Sequence, residues 1–206
     1  MVKPTPPPPP PPPPKPYDSE IEYIESDGQQ FIDTGILVRE YPLEVAFKAL
    51  VISATRSEND FFGSMYGPGG ERACVVCGHY NGTFHVWTGS RWQPQQLDFG
   101  QWYDISLILP NKQEANMSIN GNDYHKEIVS NITASRSTIC IFCDGQQHKS
   151  FLIGRLASFK MTINNSLVLD MIPVRIGSVG MMYDRKSGEI FCNNGSGEFK
   201  CGPDIG

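Results

Sequence analysis

Six cysteines and four histidines are the residues of this chain best suited to metal or nucleophilic chemistry. Cys74-x-x-Cys77 and Cys140-x-x-Cys143 make two C-x-x-C pairs, and two such pairs can build a tetrahedral zinc site. Zinc pairs sit on knuckle turns with Gly or polar residues between the ligands. Here the intervening residues are Val75-Val76 and Ile141-Phe142, which are strand formers. On a strand, positions three apart point to opposite faces, so the two thiols of a pair cannot easily reach one ion. Buried, inert thiols are the preferred reading, and no metal or cofactor is expected. Cys192 and Cys201 flank the last hairpin, where a cross-strand disulfide is geometrically conceivable in an oxidising setting. None of His79, His85, His125 and His148 sits in a nucleophile motif, so each reads as a surface or strand histidine.

A retaining glycosidase needs two carboxylates on one face of a strand, about 5–5.5 Å apart. Glu20, Glu22 and Glu25 come closest, but a solvated strand face is the simpler account of them. Asn120, Asn122 and Asp123 make a weak calcium-like cluster, better explained as turn residues.

Sugar recognition is the stronger chemical signal. Sugars stack their apolar C–H faces on exposed aromatics, while amides and guanidinium groups read their hydroxyls. The run Trp87-Thr88-Gly89-Ser90-Arg91-Trp92-Gln93-Pro94-Gln95-Gln96 offers that mixture on one turn. Trp87, Arg91, Trp92 and Gln93 are therefore candidate glycan ligands, with Tyr66 and Tyr80 in nearby Gly-rich loops able to join them. The competing reading places Trp87 in the core and makes Trp92 a lid on a sheet end. Trp102 begins a core strand and reads as structural.

The elements that must carry these residues are strands. Leu43, Val45, Phe47, Ala49 and Val51 alternate with a period of two, as do Tyr103, Ile105, Leu107 and Leu109. Ile21, Tyr23 and Ile24 open a first strand with Glu20, Glu22 and Glu25 outward. Asn120-Gly121 is the type I′ hairpin signal, because both residues tolerate φ > 0. Gly188 and residues 193–197 read as the turns of a closing hairpin between Ile190 and Phe199. More than a dozen short strands and no amphipathic helix require two packed sheets, an all-β antiparallel sandwich. The net charge of −5 and the absence of any Lys/Arg run exclude the electrostatic footprint of a nucleic-acid binder. No apolar stretch reaches the length of a membrane helix, and no signal peptide is visible, so neither nucleic acid nor membrane is an expected partner.

Residues 4–16 read PTPPPPPPPPPKP and form a polyproline II rod of roughly 40 Å. The division is a tail over 1–16 and a sandwich over 17–206. One reading makes the tail a semi-rigid spacer. The other starts from the chain beginning at Met1, which leaves the spacer nothing upstream to separate. Pro6, Pro7, Pro8, Pro9, Pro10, Pro11, Pro12, Pro13 and Pro14 are then an anchor docked into a groove of a partner protein.

Three stretches resemble concanavalin A-like (laminin-G-like) modules, of the kind found in gut bacterial surface proteins and their phages. They are the opening Tyr23 to Gly35, the Gly100-Gln101-Trp102-Tyr103 strand, and a long final pattern. The last runs through Ile153-Gly154-Arg155-Leu156, Asp170 to Arg175, Gly180-Met181-Met182-Tyr183-Asp184 and Gly202-Pro203-Asp204. The resemblance covers about residues 20 to 204. It implies a jelly roll and a place on a bacterial or virion surface, without one ligand, since the fold hosts lectins, glycosidases and structural modules. Laminarinase-like members of that superfamily supply their carboxylates through an E-x-D-x-x-E strand, and no segment of this chain matches it. The expectation is a non-catalytic surface module, a decoration protein or fibre head of a phage virion, tethered by its polyproline arm and contacting cell-surface or mucus glycans. The rivals are a cementing protein that binds only protein subunits and, behind it, a glycoside hydrolase.

Overall fold

The computed structural model describes residues 14–54, 57–65, 75–88, 90–127, 136–145 and 149–205. Their strands, in chain order, are β1 (Ser19–Glu20), β2 (Ile24–Asp27), β3 (Ile32–Asp33), β4 (Leu43–Ser53), β5 (Glu58–Gly63) and β6 (Val76–Tyr80). Next come β7 (Thr83–Trp87), β8 (Arg91–Trp92), β9 (Trp102–Leu109), β10 (Glu114–Ile119), β11 (Asn122–Glu127) and β12 (Cys140–Ile141). The chain ends through β13 (Ile153–Ile163), β14 (Ser166–Ile176), β15 (Val179–Asp184), β16 (Ile190–Phe191) and β17 (Lys200–Cys201). The larger sheet runs β11-β10-β9-β4-β13-β14-β15-β16, with β1, β2 and β17 added off that path. The smaller runs β3-β12-β5-β6-β7-β8. The two are stacked as a β-sandwich, the fold the strand periodicities require.

Alternation decides which face each strand buries. In β4, Leu43, Val45, Phe47, Ala49 and Val51 are buried, while Glu44, Ala46 and Lys48 turn outward. A cluster of phenylalanines joins the sheets. Phe47 of β4 lies 5.3 Å from Phe61 and 5.6 Å from Phe62, and Phe62 meets Phe159 of β13 edge-on at 5.6 Å. Strict alternation would send one of the consecutive Phe61 and Phe62 outward. A register shift between Asp60 and Phe62 in the β5–β6 pairing lets both point inward. Such aromatic pairs add about 0.5–1.5 kcal/mol each beyond the area they bury.

The β10–β11 hairpin turns through Asn120 at φ 49° and Gly121 at φ 80°, the type I′ geometry its sequence predicts. Asn120 also accepts a bond from Asp104 N at 2.9 Å, so its side chain serves the turn.

The chain end departs from the sequence reading. The Ile190–Phe199 segment is not a hairpin, because β16 pairs with β15 whereas β17 pairs with β2. Residues 193–197 instead cross to the start of the chain, where Asn193 accepts from Phe31 N and Gln30 donates to Ser196 O. Cys192 follows β16 and Cys201 ends β17, two strands that do not pair with one another, and both are free thiols. Cys192 Sγ faces Met181 Sδ at 3.8 Å, and Cys201 Sγ faces Ser178 O at 3.2 Å.

Candidate functional site on the outer face of the small sheet

In β7, Phe84 and Val86 enter the core, which turns Thr83, His85 and Trp87 to the outer face. Pairing carries that face across the sheet in three rows. Glu58 of β5 lies beside Tyr80 of β6, which lies beside Thr83. Asp60 lies beside Gly78, which lies beside His85. Val76 lies beside Trp87, which lies beside Arg91 of β8.

The middle row explains Gly78. Asp60 and His85 stand on strands two apart, a separation of about 9.5 Å between backbones. With no side chain between them, carboxylate and imidazole meet over Gly78, and Asp60 Oδ1 lies 2.8 Å from His85 Nε2. A Cβ on Gly78 would land on that carboxylate oxygen and 2.5 Å from Asn59 O.

Arg91 closes the row from above. Its guanidinium reaches back across β7 to lie 3.5 Å over the Tyr80 ring and 5.4 Å over the Trp87 ring, and it donates to Glu58 Oε1 at 3.1 Å. Glu58 Oε1 is in turn 3.6 Å from His85 Nε2. Asp60 and His85 are fully buried beneath this layer, while Glu58, Tyr80, Trp87 and Arg91 remain half-exposed.

Burial sets the protonation of the pair. Desolvation, followed by the charges of Glu58 and Asp144, holds the Asp60 carboxyl well above the usual carboxylate range. Desolvation lowers His85 to about 4. Both shifts disfavour the charged forms of the pair, and one proton bridges Asp60 Oδ1 and His85 Nε2. His85 Nδ1 and Asp60 Oδ2 are both buried without a hydrogen-bond partner.

The structure brings three of the predicted ligands together, Tyr80, Trp87 and Arg91. Trp92 is a correction to the sequence reading. It pairs with Val86, so it shares that residue's inward direction and packs against the core. Gln93 is exposed, and its amide donates to Thr83 Oγ1 at the rim of the same face. Tyr66 and Pro6 to Pro13 lie outside the described residues; Pro14 is described and exposed.

Sequence reasoning missed Glu58, Asp60 and His85, although the Thr83 to Trp87 alternation places His85 outward beside Trp87. It also overlooked the nearest partial match to a glycosidase strand. Glu58-x-Asp60-x-x-Gly63 supplies the first two carboxylates of E-x-D-x-x-E and a glycine for the third. That glycine is fixed by packing, since a Cβ there would sit 2.8 Å from Asp144 O.

The cysteine geometry is also corrected. Phe142 adopts φ 71°, which breaks the strand after β12. Cys140 and Cys143 thus both enter the core, with the Cys143 thiol raised by its bond with Cys140 and by burial. Cys77 is buried and its thiol is likewise pushed up. Cys74 and His148 lie outside the described residues.

A second surface lies on the outer face of the large sheet, a shallow groove of about 460 Å³. Its floor is small, with Ala46, Ser106, Ser118 and Ser158, and its rim is charged, with Asp104, Lys160, Asp170 and Arg185. Arg185 and Asp170 are joined by two bonds of 3.1 and 2.8 Å. No outward aromatic ring is among the lining residues.

No family model matches the chain, and no curated protein matches it. Solved structures do. A candidate carbohydrate-binding protein from Bacteroides ovatus aligns with a TM-score of 0.61 at 11% identity, over 89% of this chain and 60% of its own. The CBM40 of the Ruminococcus gnavus IT-sialidase, solved with α2,3-sialyllactose, aligns at 0.54 and 10% identity, over 73% of this chain and 95% of its own. Domains LG4-5 of the mouse laminin α1 chain align at 0.52 and 10% identity, over 88% of this chain and 49% of their own. The chain thus spans less than two thirds of the Bacteroides chain and about half of the laminin chain. At these identities the likeness is one of fold, and the chain has the concanavalin A-like, laminin-G-like jelly-roll sandwich.

Proposed function

We propose that this chain is a non-catalytic glycan-binding module whose site is the outer face of the small sheet. The observation that carries the reading is the half-exposed Trp87–Arg91–Tyr80 stack, with Glu58 and Gln93 at its edges. A planar guanidinium held between two rings offers apolar surface for sugar C–H groups and donors for hydroxyls in one place. Fold neighbours described as carbohydrate-binding support this choice of ligand class. The large-sheet groove lacks the aromatic surface that sugar stacking requires.

Catalysis is disfavoured by the residues themselves. Burial holds the Asp60 carboxyl well above the usual carboxylate range, and Gly63 stands where a third carboxylate would be needed. We place the module on a virion surface or outside the cell, held to a larger assembly by its polyproline segment, with phage decoration as the finer reading. The support for that is the proline run.

The test is a glycan array probed with the wild-type chain and with Trp87→Ala. Selective binding that the substitution weakens at least about tenfold, or roughly 1.4 kcal/mol, is expected. A blank array from folded protein, or binding that ignores Trp87, overturns the proposal and favours a module that binds only protein subunits.

A further inference from the structure

We propose that Glu58, Asp60 and His85 form a binding site for one divalent transition-metal ion, with zinc as the best fit. The three side chains offer an imidazole nitrogen and two carboxylate oxygens, all within 4.8 Å of one another. Two of the three are fully buried. The inference is independent of whether the face above binds a glycan.

Three observations point to a cation. First, Asp60 Oδ2 is a buried polar atom without a close hydrogen-bond partner, on the carboxyl that meets His85 over Gly78. An orphan of this kind is destabilising, and a cation bound to the group offsets that cost. Second, acidic groups gather on one imidazole nitrogen, with Glu58 and Asp60 both facing His85 Nε2. Third, the spacing is nearly right. Zinc bonds of 2.0–2.2 Å place tetrahedral donors about 3.4 Å apart. His85 Nε2 is 3.6 Å from Glu58 Oε1 and 2.8 Å from Asp60 Oδ1. Opening the second contact by a fraction of an ångström, as an ion enters between them, brings both distances close to that spacing.

The mixed donor set selects the metal. An imidazole suits zinc and its neighbours, whereas calcium and magnesium prefer all-oxygen shells of six or more ligands. Three protein ligands leave the fourth position open toward Arg91, which sits between the cluster and solvent. Loading would take Glu58 Oε1 from Arg91 and leave that guanidinium on Tyr80, with donors freed at the surface.

Isothermal titration of zinc into the chelator-treated full chain tests this, beside Glu58→Gln and His85→Gln. Glu58 is half-exposed, so its variant keeps the fold even where the buried His85→Gln does not. The expected result is one saturable site per chain, weakened by at least about tenfold in Glu58→Gln. Cobalt in place of zinc then gives a ligand-field spectrum without a thiolate charge-transfer band. Three results would overturn the proposal: no one-to-one binding, affinity unchanged in Glu58→Gln, or a thiolate band showing that cysteines hold the ion.

Discussion

Gly78→Ala is the sharpest perturbation of the arrangement beneath the candidate site. The new methyl group would sit on Asp60 Oδ1, 2.5 Å from Asn59 O and 2.7 Å from Asp60 Cα. The carboxylate can turn away, but the other two atoms belong to the backbone of the paired strand. Overpacking of this kind costs about 1–3 kcal/mol. Turning Asp60 aside also strips buried His85 Nε2 of its partner, for about another 1–3 kcal/mol. The sum, about 2–6 kcal/mol, lowers the melting temperature of a chain this size by roughly 4–24 °C. Gly121→Ala is the matched control. Its φ is positive, 80°, unlike that of Gly78, and nothing lies within 4 Å of its added Cβ. Only the backbone strain of about 1 kcal/mol applies there. Thermal melts followed by circular dichroism separate the two. If Gly78→Ala melts no lower than Gly121→Ala, the packing of Asp60 across Gly78 is wrong.

Other outcomes follow from single contacts. Trp92→Ala should destabilise the fold by about 2 kcal/mol in denaturant titration while leaving glycan affinity within about twofold, because Trp92 faces the core. Asp184 is buried; desolvation opposes its ionisation, but the backbone N–H groups of Asp170, Lys186 and Ser187, with the Ser187 side chain, outweigh it and hold its pKa below the usual carboxylate value. Its contribution is therefore complete above the unfolded value and is lost as pH falls through the folded value. Asp184→Ala should cost about 1–3 kcal/mol at neutral pH, and the gap to wild type should shrink on acid titration of stability. Phe62→Ala, at the meeting point of both sheets, should cost about 3–5 kcal/mol in the same unfolding assay.

Legibility in the sequence followed the length of the elements. The alternation from Leu43 to Val51 spans enough positions to fix both the strand and its buried face, and β4 pairs on both sides as that face demands. Asn120-Gly121 carries its own turn chemistry and needs no distant contact. Trp92 was opaque because β8 has two residues, and its direction depends on pairing with Val86 rather than on any local period. Phe142 hid a left-handed residue within an apolar run, which overturned the facing of Cys140 and Cys143. Trp87, Arg91 and Tyr80 were legible as chemistry, since aromatics and a cation near turns are a local signal. The Asp60–His85 contact was not, because it depends on β5 lying two strands from β7 with glycine between. That order is a property of the assembled sheet.

The central claim is where the ligand sits, and the three tryptophan indoles can report it. Titrating the strongest array glycan into isotope-labelled protein, with NMR following the indole N–H signals, should move Trp87 while Trp92 and Trp102 stay in place. Arg91 side-chain signals should move with Trp87. Shifts gathered instead over Ser106, Ser118 and Ser158 would put the site in the groove of the large sheet and contradict the account.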